Sequence, residues 1–410
     1  MTLKKRILFV AEYITLSHPG RCFALAEILD PEKYECGIAV SSKVSHMVPA
    51  CFAKNYDIET IDGKSFIDSV TRGKPAYNAE TIEKYVKSEL DAIESFKPDL
   101  IIGDFRLSLA ISSKIANVPY CNLSSIYWKK EEGKKYIVPE LAPFTSFIPI
   151  RVAQAIFDRL SPKVFKEFCD PINIVAQKYN IPINFENIEN LYLQGDYILY
   201  DDPLSYNHSK CPHRTEKHIG PINWSLRQPF PEWWPNISSD QPLILICIGS
   251  SGKPEIFTSV IKSLLGRKEN CVVITAGNQL NIETTSNIFV TDFLPLKEAL
   301  QNCTLFIGNG GISSYLALAA GVPALGIPHN MDQYLCSAHL EQTGAVRTLR
   351  SDRVNARAVT KNIDEMLADQ SYRQEALRQK NAMAQINMKE SLDDWLSWVL
   401  GPCQDSKKNA

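Results

Sequence analysis

The stretch from Leu305 to Gln333 constrains the fold of this chain most, because it alternates strand and helix signals around glycines. Its apolar start, Leu305 to Ile307, predicts a buried parallel strand, and the turn Gly308 to Gly311 breaks that strand. A helix is expected from Ser313 to Gly321, where glycine is a favourable C-terminal residue. A second apolar strand then runs from Ala324 to Ile327. The stretch therefore predicts one strand–turn–helix–strand unit of a parallel sheet.

The glycine turn exposes backbone N–H groups at the start of a helix. Asn309, Gly310 and Gly311 form the turn, and Ser313 and Ser314 open the helix. Unpaired donors and the helix dipole both favour an anion such as phosphate at that place. Tight packing between strand and helix is the other interpretation of such a turn.

The strand-then-helix rhythm occupies both halves of the chain and is interrupted by a proline-rich stretch from 201 to 240. At 410 residues the chain exceeds one typical core. We therefore predict an α/β protein of two doubly wound, Rossmann-like domains that face each other across a cleft. The predicted bounds are 1–222 for the first domain, 223–240 for the linker, 241–383 for the second domain and 384–410 for a C-terminal helix.

Composition excludes several classes of function. A formal net charge of -2 gives no polybasic signal for nucleic acid or for strong attachment to anionic lipid. The 11 cysteines are scattered without a C-x-x-C pair, which indicates a reducing cytoplasm. No apolar stretch reaches the ~18 residues of a membrane-spanning helix.

His18 and Asp104 are the candidate acid–base pair. His18 lies in the loop after the first predicted strand, and Asp104 follows the buried strand Leu100 to Ile102. A histidine can take a proton near neutral pH when a carboxylate fixes its tautomer. The other interpretation is a loop histidine and an N-cap for the next helix. No metal-ligand spacing such as H-E-x-x-H occurs, so no metal site is expected.

A further turn, Gly249-Ser250-Ser251, leaves the first strand of the second half. It is not a Walker A sequence, and no G-x-G-x-x-G follows the first strand of the chain. A nucleotide triphosphatase or a standard dinucleotide oxidoreductase is therefore poorly supported. Asp332 and Gln333 fall in a predicted polar loop, where they are either solvated or bind sugar hydroxyls.

These residues resemble the inverting GT-B glycosyltransferases of the UDP-glycosyltransferase family, including bacterial macrolide and antibiotic sugar transferases. The resemblance covers nearly the whole chain and is strongest in the second half. The motifs that carry it there are Asp292-Phe-Leu-Pro295, Asn309-Gly-Gly311, Leu318-Ala-Ala-Gly-Val-Pro323 and Asp332-Gln333. Ile248-Gly-Ser-Ser251, His218-Ile-Gly-Pro-Ile222 and the ungapped stretch His18 to Ala26 extend it towards the N-terminus.

The resemblance implies a role for each matching position. His18 would deprotonate an acceptor hydroxyl, with Asp104 as its partner, and that hydroxyl would displace a nucleotide diphosphate with inversion. No metal or cofactor is implied, since the co-substrate is a UDP- or dTDP-sugar whose diphosphate meets protein donors. The residues implied to bind this donor are Gly249, Ser250, Ser251, Phe293, Leu294, Asn309, Gly310, Gly311, Ser313, Ser314, Asp332 and Gln333. The C-terminal helix, with Trp395 and Trp398, is expected to pack on the first domain.

Three positions depart from the family pattern. Asn309 replaces the usual phosphate-binding histidine and cannot bring positive charge. Phe293 and Leu296 replace the Trp and Gln of plant members, which leaves the nucleotide open. Arg21 stands where the first-domain motif usually has proline.

The irregular region from Ser125 to Phe168 is the predicted acceptor site. Its aromatic and apolar residues favour a small hydrophobic or lipid-like acceptor and leave peripheral membrane contact open; Phe144, Phe147 and Ile148 are alternatively core or lid residues. Two other functions stay open at this point. One is a nucleotide-sugar 2-epimerase of the same architecture, and the other is a catalytically silent nucleotide-sugar-binding helper.

Overall fold

The computed structural model describes residues 4–129, 136–140, 145, 148–202, 214–237, 240–249, 251–277, 280, 282 and 284–401. The chain divides into two compact units. The first comprises residues 1–130, 161–222 and 386–410, and the second comprises 131–160 and 223–385. Ser250, Phe144 and Phe147 lie outside the described residues.

The first unit is built on a seven-stranded sheet in which every pair of neighbouring strands is parallel. Its strand order is β3-β2-β1-β4-β5-β6-β7. The strands are β1 (Lys5–Ala11), β2 (Tyr34–Val40), β3 (Phe52–Asp57), β4 (Leu100–Asp104), β5 (Tyr120–Ser124), β6 (Tyr197–Tyr200) and β7 (Glu216–His218). Strand β7 was not predicted. It lies in the proline-rich stretch, and its three residues are too few to show an apolar period.

Helices connect most of the successive strands, as parallel pairing requires. They are α1 (Ser17–Ile28), α2 (Gly63–Thr71), α3 (Ala79–Phe96), α4 (Leu109–Ala116), α5 (Ile150–Lys178) and α6 (Ile188–Tyr192). In α3 the apolar positions Ile82, Val86 and Ile93 recur on one helical face and are buried. Burying each such aliphatic side chain contributes about 1.5–3 kcal/mol.

The second unit repeats this plan with a six-stranded, all-parallel sheet in the order β10-β9-β8-β11-β12-β13. Its strands are β8 (Leu243–Cys247), β9 (Asn270–Ile274), β10 (Ile288–Thr291), β11 (Leu305–Gly308), β12 (Ala324–Gly326) and β13 (Val346–Thr348). Its helices are α7 (Pro254–Lys262), α8 (Leu296–Ala299), α9 (Ser313–Ala320), α10 (Met331–Glu341), α11 (Ala356–Ala368) and α12 (Gln370–Ala384). The predicted α/β class is confirmed.

The strand–turn–helix–strand unit that begins at Leu305 folds as β11, α9 and β12. Gly321 ends α9 in the left-handed conformation with φ 77°, as the sequence predicts. On one face of this sheet, residues such as Ile246, Ile307 and Leu325 are fully buried and form a single apolar cluster with Val359 and Ile363 of α11.

The last helix, α13 (Met388–Leu400), belongs to the first unit. Trp395 Nε1 donates a hydrogen bond of 3.1 Å to the Arg214 carbonyl, and its ring meets Tyr197 edge-on at 5.7 Å. The compact units differ from the predicted domain bounds mainly in residues 131–160, which the prediction placed in the first domain. Helix α5 accordingly has residues 150–160 in the second unit and 161–178 in the first.

Candidate active site

The first candidate site lies where the order of the first sheet reverses. From β1 the chain proceeds to β2 and β3 on one side, whereas β4 pairs with the other side of β1. Ligands of open α/β sheets bind beyond the carboxyl ends of strands at such a switch point. Ala11 and Asp104 are paired at the ends of β1 and β4. The loop after β1 therefore brings the start of α1 to Asp104.

His18 and Asp104 are in contact at this point. His18 Nδ1 lies 2.8 Å from Asp104 Oδ1; the carboxylate is buried, while 16% of the His18 side chain is exposed. Helix α4 begins after Ser108, so Asp104 is not its N-cap. If Nδ1 carries the proton donated to Asp104, Nε2 has a free lone pair that can accept a proton from a hydroxyl group.

Arg21 completes this cluster and was not among the predicted site residues. It is one turn beyond His18 on α1, and its side chain is 7% exposed. Its Nε and Nη2 donate to the two oxygens of Asp104 at 2.7 and 2.6 Å, and its Nη1 donates to Asp201 at 2.8 Å. Burial acts to lower the pKa of Arg21, but Asp104 and Asp201 together hold that pKa well above its usual value. The i, i+3 spacing of His18 and Arg21 was the available signal.

Phe105 orients the other face of His18. Directly after Asp104 the backbone of Phe105 has φ 51°, which is unfavourable for a bulky residue. This turn stacks the Phe105 ring on His18, with centroids 5.2 Å apart and planes 20° apart. Strain of this kind persists where the surrounding structure enforces it, often at functional sites.

The second candidate site lies at the corresponding switch point of the other sheet, between β8 and β11. Ser251 follows β8 and lies at its centre, where its hydroxyl group contacts two other side chains. Asn309 Nδ2 lies 3.3 Å from the Ser251 hydroxyl, and Gln333 Nε2 lies 3.4 Å from the same oxygen. Asn309 also accepts a 3.1 Å hydrogen bond from the Gly311 N–H. Three of the predicted donor-binding segments therefore converge on one hydroxyl group.

Two glycines of this site are required by its geometry. Gly249 and Gly310 have φ 70° and 76°, a conformation that side chains disfavour. A Cβ on Gly310 would lie 2.1 Å from the Ser337 hydroxyl, and one on Gly249 would lie 3.0 Å from Asn309 Nδ2. Larger residues would disrupt the loop on which Asn309 is held.

The N-terminus of α9 lies beside this loop. None of the described side chains caps it, and its first turn has no acidic residue. Ser313 is half-buried, while Ser314 is fully buried and its hydroxyl has no hydrogen-bond partner among the described residues. A helix start without a side-chain cap, beside a buried hydroxyl group, is suited to an anion.

Asp332 and Gln333 lie in a helix, so their predicted loop position was wrong. They are in the first turn of α10, where the Asn330 side chain accepts a 2.9 Å hydrogen bond from the Gln333 N–H. An asparagine cap followed by an acidic residue is a helix-start pattern, which the loop prediction did not take into account. Gln333 is buried and Asp332 is exposed.

Phe293 and Leu294 follow β10 and are predicted to lie on either side of the nucleotide base. Phe293 is 39% exposed, whereas Leu294 is 4% exposed. The Phe293 carbonyl accepts a 2.9 Å hydrogen bond from Thr291. Exposed aromatic area of this kind is available to a planar ligand.

His329 is a further residue of this site that sequence reasoning missed. It is 1% exposed, and its backbone N–H donates to Gln333 Oε1 at 3.1 Å. Burial, together with the nearby Lys253 charge, lowers the pKa of His329 to about 4, with the Ser251 backbone acting in the opposite direction. The imidazole is therefore neutral at pH 7. Within the described part of the chain, no three His, Cys, Asp or Glu side chains are grouped as metal ligands.

Comparison with known proteins identifies the family. The chain is 31% identical over 376 residues to a PGL/p-HBAD biosynthesis glycosyltransferase of Mycobacterium tuberculosis, covering 92% of this chain and 88% of that protein. A PGL/p-HBAD biosynthesis rhamnosyltransferase of Mycobacterium bovis is 30% identical over 92% of this chain and 84% of its own length. The chain belongs to the UDP-glycosyltransferase family of GT-B glycosyltransferases. Residues 261–390 also match the erythromycin biosynthesis protein CIII-like C-terminal domain.

Solved structures confirm the GT-B fold of this glycosyltransferase. The spinosyn rhamnosyltransferase SpnG, complexed with thymidine diphosphate, superposes with a TM-score of 0.66 at 16% identity. The match covers 96% of this chain and all of SpnG. One relative, 28% identical over 64% of this chain and 71% of its own length, is named an inactive PGL/p-HBAD biosynthesis glycosyltransferase of Mycobacterium bovis. Membership of the family therefore does not by itself establish turnover.

Proposed function

We propose that this protein is a metal-independent, inverting glycosyltransferase that moves a hexose-type sugar from a UDP- or dTDP-sugar to a hydroxyl of a small hydrophobic acceptor. The observation that carries the proposal is the 2.8 Å contact between His18 Nδ1 and Asp104 Oδ1. Asp104 holds the imidazole so that Nε2 takes the proton of the acceptor hydroxyl. The Asp104 carboxylate then stabilises the imidazolium that forms. The acceptor oxygen then attacks the anomeric carbon, and the bond to the diphosphate breaks.

The second unit supplies the donor site in this proposal. The N-terminus of α9, Asn309 and Ser251 meet the negative charge that develops on the leaving diphosphate. Asp332 and Gln333 bind sugar hydroxyls, and Phe293 lies beside the nucleotide base. The thymidine diphosphate bound to SpnG supports a nucleotide diphosphate as the ligand. Addition of EDTA should leave the rate unchanged.

The acceptor is assigned to helix α5 and the segment before it. Val152, Ile156 and Leu160 recur every four residues along α5 and are 36–49% exposed. An exposed apolar stripe of this kind supports a hydrophobic acceptor. Buried cysteines scattered through both units, such as Cys22, Cys121 and Cys247, support a reducing cytoplasm as the location of the reaction. None of the helices in the described ranges is both long and apolar enough to cross a membrane.

His18→Ala tests the catalytic step. Nucleotide-sugar hydrolysis or transfer is measured for UDP-glucose, UDP-N-acetylglucosamine and dTDP-rhamnose, and nucleotide binding is measured by calorimetry. We expect His18→Ala to lose about 10²- to 10⁴-fold in rate and to keep its nucleotide affinity. Unchanged turnover in His18→Ala would refute the mechanism. Failure of every nucleotide sugar to bind would refute the transferase itself.

A catalytically silent nucleotide-sugar-binding helper is the second candidate, favoured by the relative that is named inactive. This function requires the donor site but not the His18–Asp104 pair. The same experiment separates the two candidates, since a helper binds the nucleotide sugar without turning it over, in the wild type as in His18→Ala.

A further inference from the structure

The proposed donor-binding residues include one acid, Asp332, but no lysine or arginine. His329, which lies among them, is neutral at pH 7. The diphosphate of a nucleotide sugar is a dianion, and it gains a further negative charge when it leaves as a nucleotide diphosphate. Preorganised positive charge is the usual means of stabilising a leaving phosphate group. A cation close to this site would therefore serve the reaction.

Lys253 lies beside this site. It follows the turn after β8, two residues beyond Ser251, and directly precedes α7. The turn is tight, because the Gly252 N–H donates a 3.2 Å hydrogen bond to the Gly249 carbonyl. A Cβ on Gly252 would lie 2.0 Å from the Ile248 carbonyl oxygen, so a larger residue would not fit. Lys253 is thereby held near the carboxyl end of β8, at the switch point of the second sheet.

The charge of Lys253 acts on the interior of the site. Burial is the main cause of the low pKa of His329, and the Lys253 charge lowers that pKa further. The His329 backbone N–H donates to Gln333, whose amide nitrogen lies 3.4 Å from the Ser251 hydroxyl. An ammonium group that disfavours a positive charge on His329 favours a negative charge on a ligand held by Gln333 and Ser251.

The protein does not neutralise Lys253. The residue is half-buried, and its side chain makes no ion pair or hydrogen bond within the described part of the chain. Glu255, the acidic residue nearest to it in sequence, lies in the first turn of α7 and is exposed. The ammonium group is therefore available to an anion.

We propose that Lys253 binds the diphosphate of the nucleotide sugar and stabilises the charge that develops on it as the sugar is transferred. An ammonium group is a compact charge with three donors on a flexible stem, so it can contact the diphosphate oxygens as their charge grows. The inference rests on the proposed function, which supplies the ligand class, and it assigns the positive charge of the donor site to one side chain.

Titration calorimetry on the whole protein tests this assignment with UDP, UMP and uridine and with the corresponding thymidine series. The variants are Lys253→Met, Lys253→Gln and Lys253→Arg. Lys262→Met is the matched control, because Lys262 is exposed in the last turn of α7, at the opposite end of the same helix. The kinetics of sugar transfer are measured alongside.

We expect Lys253→Met to weaken binding of the nucleoside diphosphate about 10- to 100-fold, that of the monophosphate less, and that of the nucleoside not at all. Lys253→Arg keeps the charge and should bind within a few-fold of the wild type. In Lys253→Met, kcat should fall more than KM rises, because the leaving diphosphate carries more charge than the bound donor. Lys262→Met should bind every ligand as the wild type does.

Equal affinity of wild type and Lys253→Met for the diphosphate would overturn the inference. An equal loss for diphosphate and nucleoside would also overturn it, since that pattern reports a distorted turn and not a missing charge. Lys253→Gln decides the matter if Lys253→Met fails to fold, and failure of both neutral variants to fold would make Lys253 a structural residue.

Failure of the proposed transferase gives a different result. In that case the Lys253 variants lose diphosphate affinity in the expected order, while the wild type transfers no sugar. Absence of any nucleotide binding in the wild type would refute both.

Discussion

Asn309 is the residue of the proposed donor site that departs most from the family pattern. It lacks the positive charge of a histidine, but it accepts from the Gly311 N–H and donates to Ser251. We expect Asn309→Ala to weaken binding of UDP or dTDP about tenfold, because the loss of these hydrogen bonds frees the turn. Titration calorimetry measures this affinity.

Asn302→Ala is the matched control for that substitution. Asn302 is exposed in the same unit, after α8, and has no role in the site. It should bind nucleotide with the wild-type affinity. Equal affinity of Asn309→Ala and Asn302→Ala would show that the turn does not bind the diphosphate through Asn309.

His329 makes the stability of the second unit depend on pH. Its folded pKa of about 4 lies below the ordinary 6.5, so its contribution is complete above pH 6.5 and is lost as the pH falls towards 4. At pH 5 this loss is about 2 kcal/mol. We therefore expect the free energy of unfolding to fall by about that much more in the wild type than in His329→Gln.

Denaturant unfolding at pH 7.5 and pH 5 measures the difference. His46→Gln, which changes an exposed histidine of the first unit, should lose as much stability as the wild type over the same interval. An equal pH dependence in His329→Gln would show that the His329 ring is solvated in the folded protein.

At the scale of secondary-structure elements, the sequence predicted those features that depend only on residues close together in the chain. The strand β11, the helix α9 and its end at Gly321 follow from a short apolar run, small residues and one glycine. The meeting of β1 and β4 was inferred because parallel strand ends share an edge. The start of α10 was missed because its signal, Asn330 before Asp332, was interpreted as a loop.

The cap of α10 gives a test at this scale. Asn330→Ala removes the acceptor for the Gln333 N–H and should destabilise the helix start by about 1 kcal/mol. Gln333 and Asp332 then lose their fixed place. We therefore also expect this variant to lose more affinity, relative to the wild type, for the nucleotide sugar than for the nucleotide alone. Thermal unfolding and calorimetry with dTDP and a dTDP-sugar measure the two effects.

Asn355→Ala is the control, because Asn355 caps α11 in the same way, accepting from Ala358 N–H at 3.0 Å. It should lose similar stability and leave binding of both ligands unchanged. If both variants weaken sugar binding equally, the effect comes from general destabilisation and α10 does not present the sugar-binding residues.

At the scale of the whole molecule, the membership of residues 131–160 in the second unit had no local signal. Val138 is buried, and its carbonyl accepts from Arg350 at 3.2 Å. Glu140 pairs with the same arginine at 3.2 Å and accepts from the Tyr334 hydroxyl. Contacts between residues so far apart in sequence are not encoded in periodicity, and Arg21 was missed as a partner of Asp201 for the same reason.

These contacts lead to an expectation about how the segment responds to ligand. Tyr334 directly follows Gln333 on α10, so ordering of α10 by a nucleotide sugar should extend to residues 136–140. Hydrogen exchange followed by mass spectrometry should then show slower exchange at 136–140 together with 309–314 and 329–334, because bound ligand suppresses local opening. Residues 104–109 of the first unit should be unaffected by nucleotide alone.

Tyr334→Phe separates this coupling from ligand binding itself. The variant removes the hydrogen bond from α10 to Glu140, but no group of the proposed donor site. We expect it to keep protection at 309–314 and to lose it at 136–140. Protection at 136–140 that persists in Tyr334→Phe would mean that the segment responds to the ligand through some other route than the Tyr334 contact of α10. Absence of protection at 309–314 in the wild type would instead remove the ligand from the α9 start, whatever the segment does.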